Sequence, residues 1–351
     1  MKSVYFLPVD SSARTADISA GAKMLVERVI VEENIPLEKT IALKVHVGEK
    51  GNTTFIHPDN FDGIVDFLEE RNIECFFTDT NVLYTGQRTI RERHLKLARE
   101  HGFTRVEFVV ADGERGESFA EVPVDMKHFR TAKIGKVIAE AKQMIVLSHF
   151  KGHMLAGVGG AIKQLAMGGA SRGGKLAQHA TSKPFINPFS CSQCGTCVQH
   201  CPVDAIHIGR FSRINREKCI GCASCSAVCP KGAVLFNPLG SISRSFFEKL
   251  AEYAFAAQKD KKNVYVSFAL NITGNCDCVG KPLKTVAPDI GVFASSDPVA
   301  IDQACLDMLE KRTGKKLFAR GNRTLAHAET IGLGARRYEL VEIDGSAVSR
   351  S

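Results

Sequence analysis

Eight cysteines in two evenly spaced runs constrain this chain more than any other feature: Cys191, Cys194, Cys197 and Cys201, then Cys219, Cys222, Cys225 and Cys229. Each run reads C-x2-C-x2-C-x3-C and is closed by a proline, Pro202 or Pro230. The closely spaced cysteines of a tight loop present their sulfurs to one point. The proline after the last cysteine fixes its own φ and donates no backbone hydrogen bond, which turns the chain away from that distal sulfur. The pattern is an internal repeat, since every cysteine recurs 28 positions later and Ala205-Ile206 recurs as Ala233-Val234, giving each half a small apolar lid. Zinc sites usually show paired C-x2-C knuckles rather than triplets with a distal C-P. Disulfides suit oxidising compartments, and the opening residues Met1 to Pro8 hold too short an apolar run for a signal peptide.

Over residues 187–237 the chain resembles the two-cluster bacterial ferredoxins, whose cysteine spacing binds 4Fe-4S clusters. In that arrangement the last cysteine of each run serves the other cluster. The resemblance therefore implies Cys191, Cys194, Cys197 and Cys229 around one cluster, and Cys219, Cys222, Cys225 and Cys201 around the other.

With 351 residues, the chain is too long for a ferredoxin alone and long enough for one large or two moderate domains with proper cores. No stretch of about eighteen apolar residues exists to span a bilayer. Reduced thiolates and oxygen-sensitive clusters fit the cytoplasm of an anaerobic or microaerobic cell. The formal charge of +8 counts cysteine as neutral. Thiolates and cluster cores together bring the loaded protein nearer roughly +4, which makes no case for nucleic acid. Basic residues such as those from Arg88 to Arg93 and Lys259 to Lys262 read as solvated surface.

On both sides of the cysteines, extended runs alternate with amphipathic helical stretches. Strands are expected at Ser3–Leu7, Thr40–His46, Glu74–Asp79, Arg105–Val110, Gln143–His149, Asn263–Asn271, Ile290–Ala294 and Tyr338–Ile343. Helices are expected at Ala16–Glu33, Asn60–Arg71, Thr89–Gly102, Ile134–Ala141, Ser241–Gln258, Pro298–Lys311 and Thr324–Ile331. This is the signature of an α/β fold with a mostly parallel sheet and covering helices. The economical organisation is one α/β domain formed by residues 1–183 and 239–351, interrupted by a small α+β ferredoxin-like segment at 184–238 and bounded by Pro184, Pro188 and Pro238. In such sheets ligands sit at the carboxyl ends of strands. Three predicted strands end in suggestive residues: Lys44-Val45-His46, Thr78-Asp79-Thr80 and Ser148-His149.

A second informative region runs from His149 to His179 and holds eight glycines between Gly152 and Gly174. Such density lets backbone approach a ligand closely. Neither familiar phosphate motif fits, because G-x4-G-K-[ST] is absent and Ile162 replaces the third glycine of a dinucleotide fingerprint begun by Gly157 and Gly159. One reading is a flexible loop with a small-residue helix, Gly160 to Met167, packed against the sheet. The other is a cofactor-binding loop using Gly157, Gly159, Gly160 and Lys163, favoured by Lys151, Lys163, Arg172, Lys175 and three histidines at positions where buried charge is costly.

The α/β portion, nearly throughout, resembles the widespread bacterial and archaeal family called domain of unknown function three-six-two. The resemblance is carried by LKVHVGE (Leu43 to Glu49), TDTNVLYTGQR (Thr78 to Arg88), HLKLAREHGF (His94 to Phe103), SHFKGHMLAGVGGAIKQLAMGG (Ser148 to Gly169) and SSDPVAID (Ser295 to Asp302). It implies the fold, and an inserted ferredoxin segment as many members carry, more than an activity. The spacing of His153, Lys163 and His179 around a Gly-Gly-x-x-Lys is also similar to the nickel-pincer lactate racemases. That similarity implies His153 as general acid or base, Lys163 as the attachment point of a covalent cofactor and His179 as a nickel ligand, with His46 and His94 as candidates for a second catalytic histidine.

Smaller signals complete the reading. Cys276-Asp277-Cys278 lies in a glycine-flanked turn whose alternate residues point the same way, so the two thiols suit a third metal site or a redox pair, with two unrelated loop cysteines as the bland alternative. Cys75 and Cys305 read as small buried hydrophobes. Asp297-Pro298 reads as a helix cap followed by proline at the first helical position, and Asp302 as either a site carboxylate or a solvated acid. The first functional expectation is an oxidoreductase passing electrons between an external protein carrier and a small-molecule substrate, or a metal, held by the glycine-rich loop. The alternatives are a non-redox racemase or epimerase with a Lys163-linked nickel cofactor and structural or sensory clusters, and an anion-binding protein.

Overall fold

The computed structural model describes residues 1–9, 13–83, 86–179, 183–201, 203–219, 224–235 and 244–344. Its main sheet has eight strands in the order Tyr338–Glu342, Lys2–Pro8, Gly291–Ser295, Val264–Ala269, Met144–His149, Thr40–Lys44, Glu74–Asp79 and Phe108–Val110. Neighbours run parallel except Gly291–Ser295, which is antiparallel to both strands beside it. The mostly parallel sheet expected from the alternation of extended and helical stretches is therefore present. Met144–His149 and Val264–Ala269 lie mid-sheet and bury every residue, which explains their near-continuous apolar sequences.

Because successive side chains of a strand point to opposite faces, each strand feeds two cores. Met144 and Val146 join the core on one side, and Ile145 and Leu147 the core on the other. One face is covered by Thr15–Glu32, Asp62–Glu69 and Arg91–Glu100 through residues such as Leu25, Phe67 and Leu97. The opposite face carries Ala161–Gly169, Arg244–Gln258, Pro298–Thr313 and Asn322–Thr330, through Leu165, Phe246, Ile301 and Leu325. No helix among the described residues is long and apolar enough to cross a membrane.

Two hairpins depart from the sequence expectation. The stretch expected to be helical from Ile134 begins as a strand: Thr131–Gly135 pairs with Phe119–Pro123, and only Lys136–Glu140 is helical. Ala132 and Ile134 are buried while Lys133 between them is not, a period of two that decides for a strand. In the glycine-rich region, Lys151–His153 pairs with Gly157–Gly159, and Arg172–His179 forms a further helix.

The small-residue helix runs over Ala161–Gly169 and packs against Arg244–Gln258. Its start is anchored by Asp302, which is buried rather than solvated: the carboxylate accepts the Ala161 and Ile162 N–H groups at 2.7 and 3.0 Å. Burial pushes this carboxyl up to about 7. Asp297 behaves as expected, accepting the Val299 and Ala300 N–H groups ahead of the helix that starts at Pro298. Cys305 is buried and Cys75 half-buried, both in apolar surroundings.

In the cysteine segment Phe185–Ile186 pairs with Val234–Leu235, so the chain leaves and rejoins at neighbouring points. Between them lie a second two-residue ladder, Ile206–His207 with Arg213–Ile214, and short helices at Thr196–Gln199 and Ser224–Val228. Ile186, Cys197, Cys225 and Val234 form its small core. Cys222, Pro202 and Pro238 lie outside the described residues.

A side chain on Gly160 would place its Cβ 2.2 Å from Asp302 Oδ1. Gly160→Ala is therefore expected to cost about 1–3 kcal/mol by overpacking this helix start. Chemical denaturation checks it, and an unchanged unfolding midpoint would show that the anchor is dispensable.

Candidate active site

At the carboxyl ends of Thr40–Lys44 and Glu74–Asp79, backed by the Ala161–Gly169 helix, lies a cavity of about 390 Å3. It gathers residues far apart in sequence: His46, His153, Lys163, His179, Cys276 and Cys278 all line it. Its size is that of small-molecule sites. A larger groove of about 750 Å3 runs along the Thr15–Glu32 helix, but it brings together only scattered surface charges and small residues and no convergent chemistry.

The two thiols lie side by side, with Cys276 Sγ 2.9 Å from Cys278 Sγ. Lys163 Nζ stands 3.9 Å from Cys276 Sγ, and His46 Nε2 stands 3.5 Å from Cys278 Sγ. His153 also hydrogen-bonds Cys276. Its Nδ1 accepts the Leu155 and Ala156 N–H groups, which leaves Nε2 as the donating nitrogen. The hydrogen bond from Cys278 holds the Cys276 thiol well below its usual range despite burial, with Lys163 and His153 adding to the effect. Cys278 is pushed well above the thiol range by that same bond and by burial. Burial alone would lower Lys163, but Cys276, Cys278 and Asp277 reverse this and keep it an ammonium.

Asp277 faces the other way and locks the turn. Lys151 Nζ donates to it at 2.6 Å, and His149 Nδ1 lies 2.9 Å from the same oxygen. Burial would raise this carboxyl, yet His149 and Lys151 hold it below the carboxylate range. A second buried carboxylate, Asp79, accepts from Lys44 at 3.0 Å and Arg88 at 3.1 Å. Arg88 in turn reaches 3.3 Å from His46 Nε2. Reading Arg88 as solvated surface is corrected here, since it is 1% exposed at the heart of the site.

Among the other residues singled out from sequence, His179 lines the cavity stacked on Phe246, its imidazole lowered to about 4 by burial and then by His153 and Lys163. His94 does not line it: the ring is fully buried 3.8 Å from Asp79 and lowered to about 3 by burial. Gly157, Gly159 and Gly160 also stand off the cavity. A Cβ at these positions would meet Gly321 backbone, Lys151 and Asp302 respectively. Arg88 and Asp277 escaped sequence reasoning. The one available signal was a lone acid between two cysteines, which must face away from them and so needs a buried cation of its own.

His46, Cys276 and Cys278 offer ligand atoms within 4.8 Å of one another, close enough for one metal ion. In the cysteine segment, Cys191, Cys194, Cys197 and Cys229 line one small cleft. Cys201 Sγ accepts the Ala205 N–H and Cys229 Sγ the Ala233 N–H, both at 3.2 Å, repeating the sequence symmetry in three dimensions.

No relative among curated proteins matches the chain. Of solved structures, a protein from Thermotoga maritima shares 10% identity over 93% of this chain and 61% of its own, with a TM-score of 0.45. The lactate racemase apoprotein from Thermoanaerobacterium thermosaccharolyticum shares 13% identity over 85% of this chain and 55% of its own, with a TM-score of 0.40. The chain thus spans about three fifths of the first and little over half of the second. Residues 41–307 match the family described as Domain of unknown function (DUF362), a span that contains the cavity and both cysteine runs. The chain belongs to that family.

Proposed function

We propose that this chain is an iron-sulfur oxidoreductase, in which the eight cysteines of the repeated runs hold two 4Fe-4S clusters and the cavity holds the small molecule that exchanges electrons with them. The observation that carries the reading is the placement of one helix. Arg172–His179 sends Lys175 and His179 into the cavity and also packs against Ser224–Val228, the helix that carries Cys225. The chemistry site and the cysteine segment are therefore in mechanical contact.

The residues present suit the clusters. Cys191, Cys194, Cys197 and Cys229 share one cleft, as the ferredoxin arrangement requires. The paired N–H···S bonds to Cys201 and Cys229 orient the two distal sulfurs in the same way in both halves of the repeat. When bound, such clusters supply single electrons. The protein's part is recognition: Phe189 and Phe211 stand 98% and 69% exposed on the cysteine segment, where an external electron-carrier protein docks. Lys163 and Arg88 line the cavity and suit a small anionic substrate, and Leu155 and Phe246 supply an apolar wall.

A second reading, epimerisation on a Lys163-linked nickel cofactor, is favoured by the convergence of His153, Lys163 and His179 on the same cavity. Against it stands the ammonium of Lys163, paired with Cys276 rather than free to react. Nickel in the purified protein, or added mass on the Lys163 peptide, would decide for it.

Purified and reconstituted without oxygen, the protein is expected to carry about eight irons and as many sulfides and to bleach reversibly on chemical reduction. Cys197→Ala and Cys225→Ala should each remove about half of the iron. A colourless protein, or clusters that do not cycle, would remove the redox reading. Asp277→Ala should cost about 3–5 kcal/mol because Lys151 is left buried without a counter-charge. Urea unfolding measures this, and a loss below about 1 kcal/mol would show that Asp277 does not organise the turn.

A further inference from the structure

We propose that Cys276 and Cys278 form a redox-active dithiol that reduces a small disulfide bearing carboxylates, with Cys276 attacking and Cys278 resolving. The sulfurs already lie 2.9 Å apart, across one intervening residue, so closing a bond between them needs only a small rotation. Each sulfur meets a cation and an imidazole: Lys163 at 3.9 Å and His153 at Cys276, Arg88 at 3.9 Å and His46 Nε2 at 3.5 Å at Cys278. Arg88 is already held by Asp79 at 3.1 Å, so the cation committed to a thiol is Lys163 at Cys276, as nucleophile activation requires. Both sulfurs line a cavity large enough for a ligand of about a dozen heavy atoms.

The same geometry argues against a metal ion at this place. His46 Nδ1 accepts the Gly48 N–H at 3.0 Å, which puts the ring proton on Nε2 and leaves no lone pair there for an ion, and Arg88 stands 3.3 Å from that nitrogen. An ion at Nε2 would have to displace a guanidinium that Asp79 holds at 3.1 Å. Lys163 likewise stands beside Cys276, on a sulfur that an ion would need.

The half-reaction balances within protein and substrate. The Cys276 thiolate attacks one sulfur of the bound disulfide, that S–S bond breaks, and the distal half leaves as a thiolate. The leaving thiolate takes the Cys278 proton. Cys278 then attacks Cys276, closes the internal disulfide and expels the second half, which takes a proton from solvent. Two electrons pass from the protein dithiol to the substrate, giving two thiols. As Cys276 bonds to the substrate sulfur its negative charge is lost, and Lys163 is freed to pair with the carboxylate of the half that Cys276 now carries, which favours attack on an anionic disulfide. Renewal of the dithiol over many turnovers rests on the electron delivery proposed above; the single half-reaction does not.

The test uses the full chain, purified anaerobically with its iron retained, and two disulfides of opposite charge, dithiodiglycolate and cystamine. After reaction and alkylation, mass spectrometry of the peptide containing residues 276–278 is expected to show an internal disulfide that dithiothreitol reverses. Dithiodiglycolate should react at least about tenfold faster than cystamine, and Lys163→Gln should lose that preference while Lys163→Arg retains it. Cys278→Ser should trap a mixed disulfide on Cys276, and the wild-type reaction needs no variant to be read. The proposal is overturned if both thiols stay alkylatable after exposure to dithiodiglycolate, if the trapped adduct never forms on Cys276, or if one metal ion per chain is bound and lost in Cys276→Ser. Iron content, measured on the same sample, separates this failure from failure of the iron-sulfur reading.

Discussion

Two carboxylates buried at the carboxyl end of the sheet, Asp79 and Asp277, organise everything around them. A lone charge at such depth would be far too costly, so each is surrounded by cations. Asp277 takes Lys151 and His149 from the Met144–His149 strand and the hairpin after it, which fixes the turn and leaves Cys276 and Cys278 facing the cavity. Asp79 takes Lys44 from the adjacent strand and Arg88 from the segment beyond, and Arg88 then stands over His46 and Cys278. Burial raises both carboxyls and the neighbouring cations overcome it, so each stays ionised. The thiols are positioned from below by one carboxylate and bounded from the side by the other.

Much of this was legible in the sequence. The alternation of extended and helical stretches located the main-sheet strands and covering helices, because central parallel strands leave near-continuous apolar runs such as Met144 to Leu147. The rule that ligands gather at strand ends pointed to His46, Asp79 and Thr80, all of which line the cavity. What the sequence hid was contact between distant segments. Arg88 sits among arginines that look like surface, and only tertiary structure brings it to Asp79. The glycines at 157, 159 and 160 suggested a ligand and stand against Gly321, Lys151 and Asp302, since close approach to protein and close approach to cofactor leave the same mark in a sequence.

The chain carries its chemistry in two groups of cysteines that differ in kind. Those of the repeated runs occur in triplets with a distal partner, the spacing on which the proposed clusters rest. Cys276 and Cys278 occur as a separate pair, with Lys163 and His153 beside one sulfur and Arg88 and His46 beside the other, the surroundings on which the proposed dithiol chemistry rests. The Arg172–His179 helix touches both the cavity and the cysteine segment, so the one-electron delivery and the two-electron chemistry proposed above would be joined by one short element.

The most direct test of this account is anomalous X-ray scattering at the iron edge from crystals grown without oxygen. The account predicts two compact groups of iron, one enclosed by Cys191, Cys194, Cys197 and Cys229 and the other by Cys219, Cys222, Cys225 and Cys201, with no iron at Cys276. Single-atom peaks at the two runs, scattering at the zinc edge instead of the iron edge, would contradict it.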